Sequence, residues 1–123
     1  MKFLFLLLSV ICISSTCSKS RYSTAFFIKN NSSKTILYSW SDKYPDTSIT
    51  DILNGVPIDP LQTRGPFYYT VSPIAGIVEI FLFNSITVDS IPWDTIKKNY
   101  MVLKRYDLTI DSINQMNRIV TYP

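Results

Sequence analysis

The chain of 123 residues contains no histidine. That removes the commonest general base and the commonest metal ligand together. Ser–His and Cys–His nucleophile pairs cannot form. Cysteine occurs only at Cys12 and Cys17, so a zinc site, which needs four nitrogen or sulfur ligands, is excluded in practice. Glycine is scarce, at positions 55, 65 and 76 only, and no phosphate-cradling loop can be built at that spacing. Glutamate occurs once, as Glu79. Positive charge is dilute: the net charge is +3 and no basic run exceeds two residues (Lys97-Lys98, Lys104-Arg105). A nucleic-acid surface needs a clustered basic stripe, so nucleic acid is not an expected partner. No cofactor is expected either.

What is present begins at the amino terminus. Met1-Lys2 supplies a positive charge, residues 3–13 (FLFLLLSVICI) form an apolar run, and Ser14-Ser15-Thr16-Cys17 are all small. The run is too short to span a bilayer as a helix and has the length of a signal-peptide core. It has no polar face with which a domain helix would meet water. Cys12 lies inside this run and would leave with it. Cys17 is then the odd thiol of an exported protein. The stretch resembles a bacterial lipoprotein signal, in which the cysteine after the apolar run is acylated and becomes the first mature residue. Ser14 and Thr16 depart from the usual aliphatic and Gly/Ala positions, in the loose Ser-rich form seen in Bacteroidetes. The alternative is ordinary cleavage near Ser18 or Ser20. The expected organisation is a lipoprotein signal at 1–16, a polar tether at 17–21 and one β-rich domain at 22–123, a size that fits one domain.

The domain reads mainly as strands. In YSTAFFIK, Tyr22, Thr24, Phe26 and Ile28 share one face. In KTILYSWS, Ile36, Tyr38 and Trp40 share another. The two flank the polar NNSSK turn and predict a β-hairpin. Residues 41–48 read as a loop. Asn54-Gly55 reads as a turn, and Pro57 and Pro60 allow one edge strand at most in 49–64. FYYTVS at 67–72 predicts a strand. IVEIFLFN at 77–84 is nearly continuous in apolar residues and predicts a central strand covered on both faces. IPWDTIKKNY predicts a short helix capped by Ser90. A strand follows at 101–108, then a helix at 109–117 capped by Thr109, then a final strand, RIVTYP. The expected fold is a small antiparallel β-sandwich, Ig-like or similar, with two short helices near the carboxyl terminus. A two-layer α+β fold is the alternative.

Little of this points to catalysis. Glu79 falls in a core strand, where a carboxylate is expected to project at a sheet edge or to pair with a nearby Lys or Arg rather than to act in catalysis. Asp42 and Asp46 share a loop, but a calcium site wants more oxygen ligands at tighter spacing. Asn30-Asn31-Ser32 and Asn31-Ser32-Ser33 both match an N-glycan acceptor, which in a bacterial lipoprotein is coincidence. The aromatics Trp40, Tyr44, Trp93, Tyr100, Tyr106 and Tyr122 offer a sugar- or protein-binding surface or, more plainly, a core and its rim. Trp40, Tyr44 and Trp93 are the residues a ligand surface would use.

The run WDTIKKNYMVLKRYDLTIDSINQMNRIVTYP (93–123) and the stretch NNSSKTILYSWSDKYPDTSI (30–49) resemble a family of small uncharacterised lipoproteins of Bacteroidales. Arg118 departs from the aromatic residue usual there. The resemblance implies a host and a location and no activity: an outer-membrane lipoprotein facing the periplasm, since no acidic cluster follows Cys17. The expectation is therefore a non-enzymatic, lipid-anchored envelope protein that is structural or binds a protein or glycan partner. The alternative is a carbohydrate- or peptide-binding module.

Overall fold

The computed structural model describes residues 23–41, 43–46, 49, 54–70 and 76–123. The expected signal at 1–16, the whole expected tether at 17–21 with Cys17, and Asp42 lie outside them. Seven strands and three helices follow in chain order: β1 (Ser23–Asn30), β2 (Ile36–Ser41), β3 (Asn54–Ile58), β4 (Thr63–Thr70), β5 (Ile77–Asn84), α1 (Ser85–Ser90), α2 (Trp93–Lys98), β6 (Lys104–Thr109), α3 (Ile110–Gln115) and β7 (Ile119–Tyr122). They form a three-stranded sheet, β4-β1-β7, and a four-stranded sheet, β3-β2-β5-β6. Every pair is antiparallel except β1–β7. The fold is mainly β and sandwich-like, as the strand pattern predicts. Among the described residues no helix is long and apolar enough to cross a membrane.

The sandwich follows from side-chain alternation. Phe26 and Ile28 of β1 meet Ile36 and Tyr38 of β2 in one buried cluster, with Ile80 and Leu82 of β5. Phe67 is sandwiched between Phe26 (5.6 Å between ring centroids) and Tyr38 (4.4 Å). Burial of each such side chain contributes on the order of 1.5–3 kcal/mol. This arrangement corrects the expected β1–β2 hairpin: the two strands lie in different sheets with their apolar faces opposed. The turn between them is an arch built on Asn30, which is fully buried. Its amide donates to the carbonyls of Lys34 (2.7 Å) and Ile58 (2.9 Å). Its Oδ1 accepts from the backbone N–H (2.9 Å) and hydroxyl (2.6 Å) of Ser32.

Three further expectations need adjusting. Asn54-Gly55 opens β3 rather than forming a turn, although β3 is the edge strand that Pro57 allows. Ser90 ends α1 instead of capping α2, whose N-cap is Pro92. Among the described residues the helices number three, because Asn84 caps an additional one, α1, by accepting from the Ile86 N–H at 3.0 Å. In α1 no residue is buried, so it has no apolar stripe to be read. The prediction for α3 holds: Thr109 caps it in a reciprocal capping box with Ser112.

A bulge in β4 lets the small sheet curve. Phe26 pairs with Phe67 and Ile28 with Arg64, so three steps in β4 match two in β1. Gly65 occupies the extra position with φ 146°, and a Cβ there would lie 2.7 Å from Phe27 Cδ1. Only glycine fits.

The outer face of the four-stranded sheet makes a third layer. Leu37, Phe81 and Phe83 pack there against Ile49, Ile96 and Trp93. β5 is therefore covered on both faces, as its continuous apolar run predicts. On one side α3 bridges the two sheets, placing Ile113 in the main cluster, and Tyr106 Oη donates to the Thr121 carbonyl at 2.9 Å.

Candidate functional site

The outer face of the four-stranded sheet changes character along β5. From Phe83 to Phe81 it is apolar; at Glu79 it becomes ionic. Glu79 pairs across the ladder with Ser41 of β2 and Asp107 of β6, and Phe81 with Arg105. Successive odd-numbered residues of β5 and β6 therefore share this face. Glu79 is fully buried. Both of its oxygens accept from the Asp46 backbone N–H, each at 3.0 Å. Arg105 Nη2 makes an ion pair with Glu79 Oε1. The same guanidinium donates through Nη1 to the Asp46 carbonyl (3.2 Å) and through Nε to Asp107 Oδ1 (2.7 Å). It also lies 5.7 Å from the centroid of the Phe81 ring.

The electrostatics follow from burial. Desolvation pushes the Glu79 carboxyl up, opposed by the Asp46 N–H and by Arg105. Arg105 is held more firmly protonated, first by its hydrogen bond to Asp107, then by one to Tyr100. A general base must reach a substrate proton. Glu79 instead spends its oxygens on its own chain. Chemically the arrangement is a lock: carboxylate and guanidinium together grip both the N–H and the C=O of Asp46, which pins the 43–46 loop to the sheet. The pairing of Glu79 with a basic residue is the outcome its sequence position predicts.

The aromatic candidates are dispersed. Trp40 packs against the inter-sheet cluster, and Trp93 stands edge-on to Phe83 at 5.1 Å in the outer layer. The four-stranded sheet separates them, so they share no surface. Tyr44 is exposed, two residues before the locked Asp46, and Tyr100 is exposed with its ring edge-on to Phe81 at 6.3 Å. Tyr106 and Tyr122 pack partly buried against the main cluster. Cys17 lies outside the described residues. Of the two glycan-acceptor matches, the Asn30 amide is consumed by the arch, and Asn31 is exposed. Among the described residues no three His, Cys, Asp or Glu side chains gather as metal ligands.

Sequence reasoning missed Arg105 and Asp107. A signal was there: KRYDL places Arg105 and Asp107 on one face by strand alternation, and a lone buried glutamate requires a cation. No protein-family model, curated protein or solved structure matches the chain.

Proposed function

We propose that this chain is a lipid-anchored cell-envelope protein of the Bacteroidetes type, held by Cys17, whose β-sandwich serves as a structural or binding domain and not as an enzyme. One observation carries the reading: outside the discarded apolar run the chain has a single cysteine, and it stands at the exit of that run. Several acyl chains on one sulfur, at about 0.8 kcal/mol per buried methylene, hold a protein on a membrane essentially permanently. The inward-turned Glu79 supports the non-catalytic part of the reading. The absence of an acidic cluster after Cys17 favours the periplasmic side of the outer membrane.

Fractionation of wild type against Cys17→Ser tests the anchor. Wild type is expected in the membrane fraction and the variant in the soluble one. A variant that stays with the membrane, or a mature chain with a free amino terminus at residue 19 or 21, overturns the reading. If the domain binds glycans or peptides instead, Tyr44 and Tyr100 are the exposed rings beside the Arg105 lock that such a ligand would meet.

A further inference from the structure

We propose that the Lys43–Pro45 loop is a second membrane contact, with the Tyr44 ring seated among the lipid headgroups beside the acylated cysteine. The inference rests on the anchor reading and adds an orientation to it. The strand order places one end of the sandwich nearest the anchor. β1 starts there at Ser23, paired with Thr70, the last residue of β4. β5 starts and β6 ends there, as Ile77 pairs with Thr109. β2 runs back from the Asn30 arch and ends there at Ser41, paired with Glu79. The 43–46 loop leaves from that end, and Asp46 locks it onto the adjoining outer face of the sheet, over Glu79 and Arg105.

Cys17 and Ser23 are six residues apart, so a fully extended tether reaches only about 20 Å. β1, with 8 residues, is itself roughly 26 Å long. The opposite end, with the exposed Leu61 and Ile86, can approach the acyl chains only if the tether doubles back along a whole strand. The near end therefore meets the lipid.

What that end presents suits a headgroup layer. Tyr44 is 41% exposed, and an amphipathic ring with a polar tip is the side chain that settles at a membrane–water interface. Lys43 beside it is exposed and adds a positive charge suited to an anionic leaflet. The Asp46 grip keeps the loop ordered before contact, so little conformational freedom is lost on insertion.

The test uses the full-length, acylated protein. Cys12 leaves with the signal and the Cys17 sulfur is alkylated, so an introduced cysteine is the only thiol. Tyr44→Cys and Leu61→Cys are each labelled with an environment-sensitive nitrobenzoxadiazole dye. Both are reconstituted in phosphatidylethanolamine–phosphatidylglycerol vesicles, with and without brominated acyl chains. The dye at position 44 is expected to be blue-shifted and quenched several-fold more strongly than the dye at 61. Equal quenching at both, or stronger quenching at 61, in protein that floats with the vesicles overturns the contact and leaves the anchor standing. Protein that does not float overturns the anchor and the contact with it.

Discussion

β5 shows its even-numbered residues to one neighbour and its odd-numbered residues to another. Val78, Ile80 and Leu82 face the second sheet, and among the described residues their cluster is made of side chains from strands, from α3 and from its C-cap Met116. Phe83, Phe81 and Glu79 face short helices and a loop. The difference lies in what covers each side. A facing sheet arrives with its backbone hydrogen bonds already made within its own ladder. A loop arrives with N–H and C=O groups that must find partners once they leave water. On the outer face, Glu79 and Arg105 supply those partners. The ionic patch is thus the consequence of covering a sheet with irregular chain.

The largest expected effect comes from breaking that patch on one side only. Arg105→Met leaves the buried Glu79 carboxylate without its cation and the Asp46 carbonyl without its donor. Loss of about 3–5 kcal/mol is expected, read from urea unfolding. Adding Glu79→Leu removes the stranded charge and should recover part of the loss, but not all, because the Asp46 N–H still lacks an acceptor. Full recovery in the double variant would show that the lock gives the loop nothing. The matching lesion on the even side is Leu82→Ala, at about 2–5 kcal/mol through cavity formation alone. It should show no recovery with any change at Glu79, since the two sites lie on opposite faces of the sheet.

Burial displaces titration on both faces, at Glu79 on the outer one and at Tyr38 and Tyr106 on the inter-sheet one, and the two faces act at opposite ends of the pH scale. Glu79 in the folded state holds its proton above the ordinary value of 4.5. A raised folded value means the folded chain binds that proton more tightly than the unfolded one. The corresponding stability is fully present below 4.5 and is lost as pH rises through the folded value. Glu79→Gln cannot titrate, so its stability relative to wild type should rise between pH 4.5 and neutrality. A gap that stays constant across urea titrations in that window sinks the idea. On the inter-sheet face, burial raises the Tyr38 hydroxyl from 10.0 to about 12. Its contribution is present below pH 10 and lost as pH climbs through about 12, so Tyr38→Phe should postpone alkaline unfolding.

The contrast between the faces is legible in part in the sequence. The nearly continuous IVEIFLFN run predicts a strand covered twice, and Ile36, Tyr38 and Trp40 are predicted to share one face of β2, the face that meets the main core. The β1–β2 connection was misread because NNSSK has hairpin composition. What turns it into an arch is the burial of Asn30 under Ile58, a contact 28 residues away that local pattern cannot contain. Helix α1 is invisible because it has no fully buried residue and sets only Val88 against the outer cluster. The lock was legible only as a need, a lone glutamate among apolar neighbours. Its answer sat 26 residues downstream, in a strand whose alternation was readable but whose pairing with β5 was not.

The helix caps give the smallest and most local version of the same comparison. Asn84 caps α1 on the outer layer, and Thr109 caps α3, which bridges the sheets. Removing either side chain strips one helix of a backbone partner at its amino end, typically at a cost near 1 kcal/mol. The consequences should nonetheless differ. In α3, Ile113 is fully buried in the main cluster, and the helix hands the chain on to β7. Fraying its first turn must loosen core packing, so Thr109→Ala should lower global stability by about the whole cap value. α1 has no fully buried residue and only Val88 packs partly against the outer cluster, so its first turn can open with the main core intact. Asn84→Ala should then leave the urea midpoint almost unchanged while amide hydrogens at the start of α1 exchange faster. Equal global losses from the two variants would mean that α1 is as integral to the outer layer as α3 is to the core.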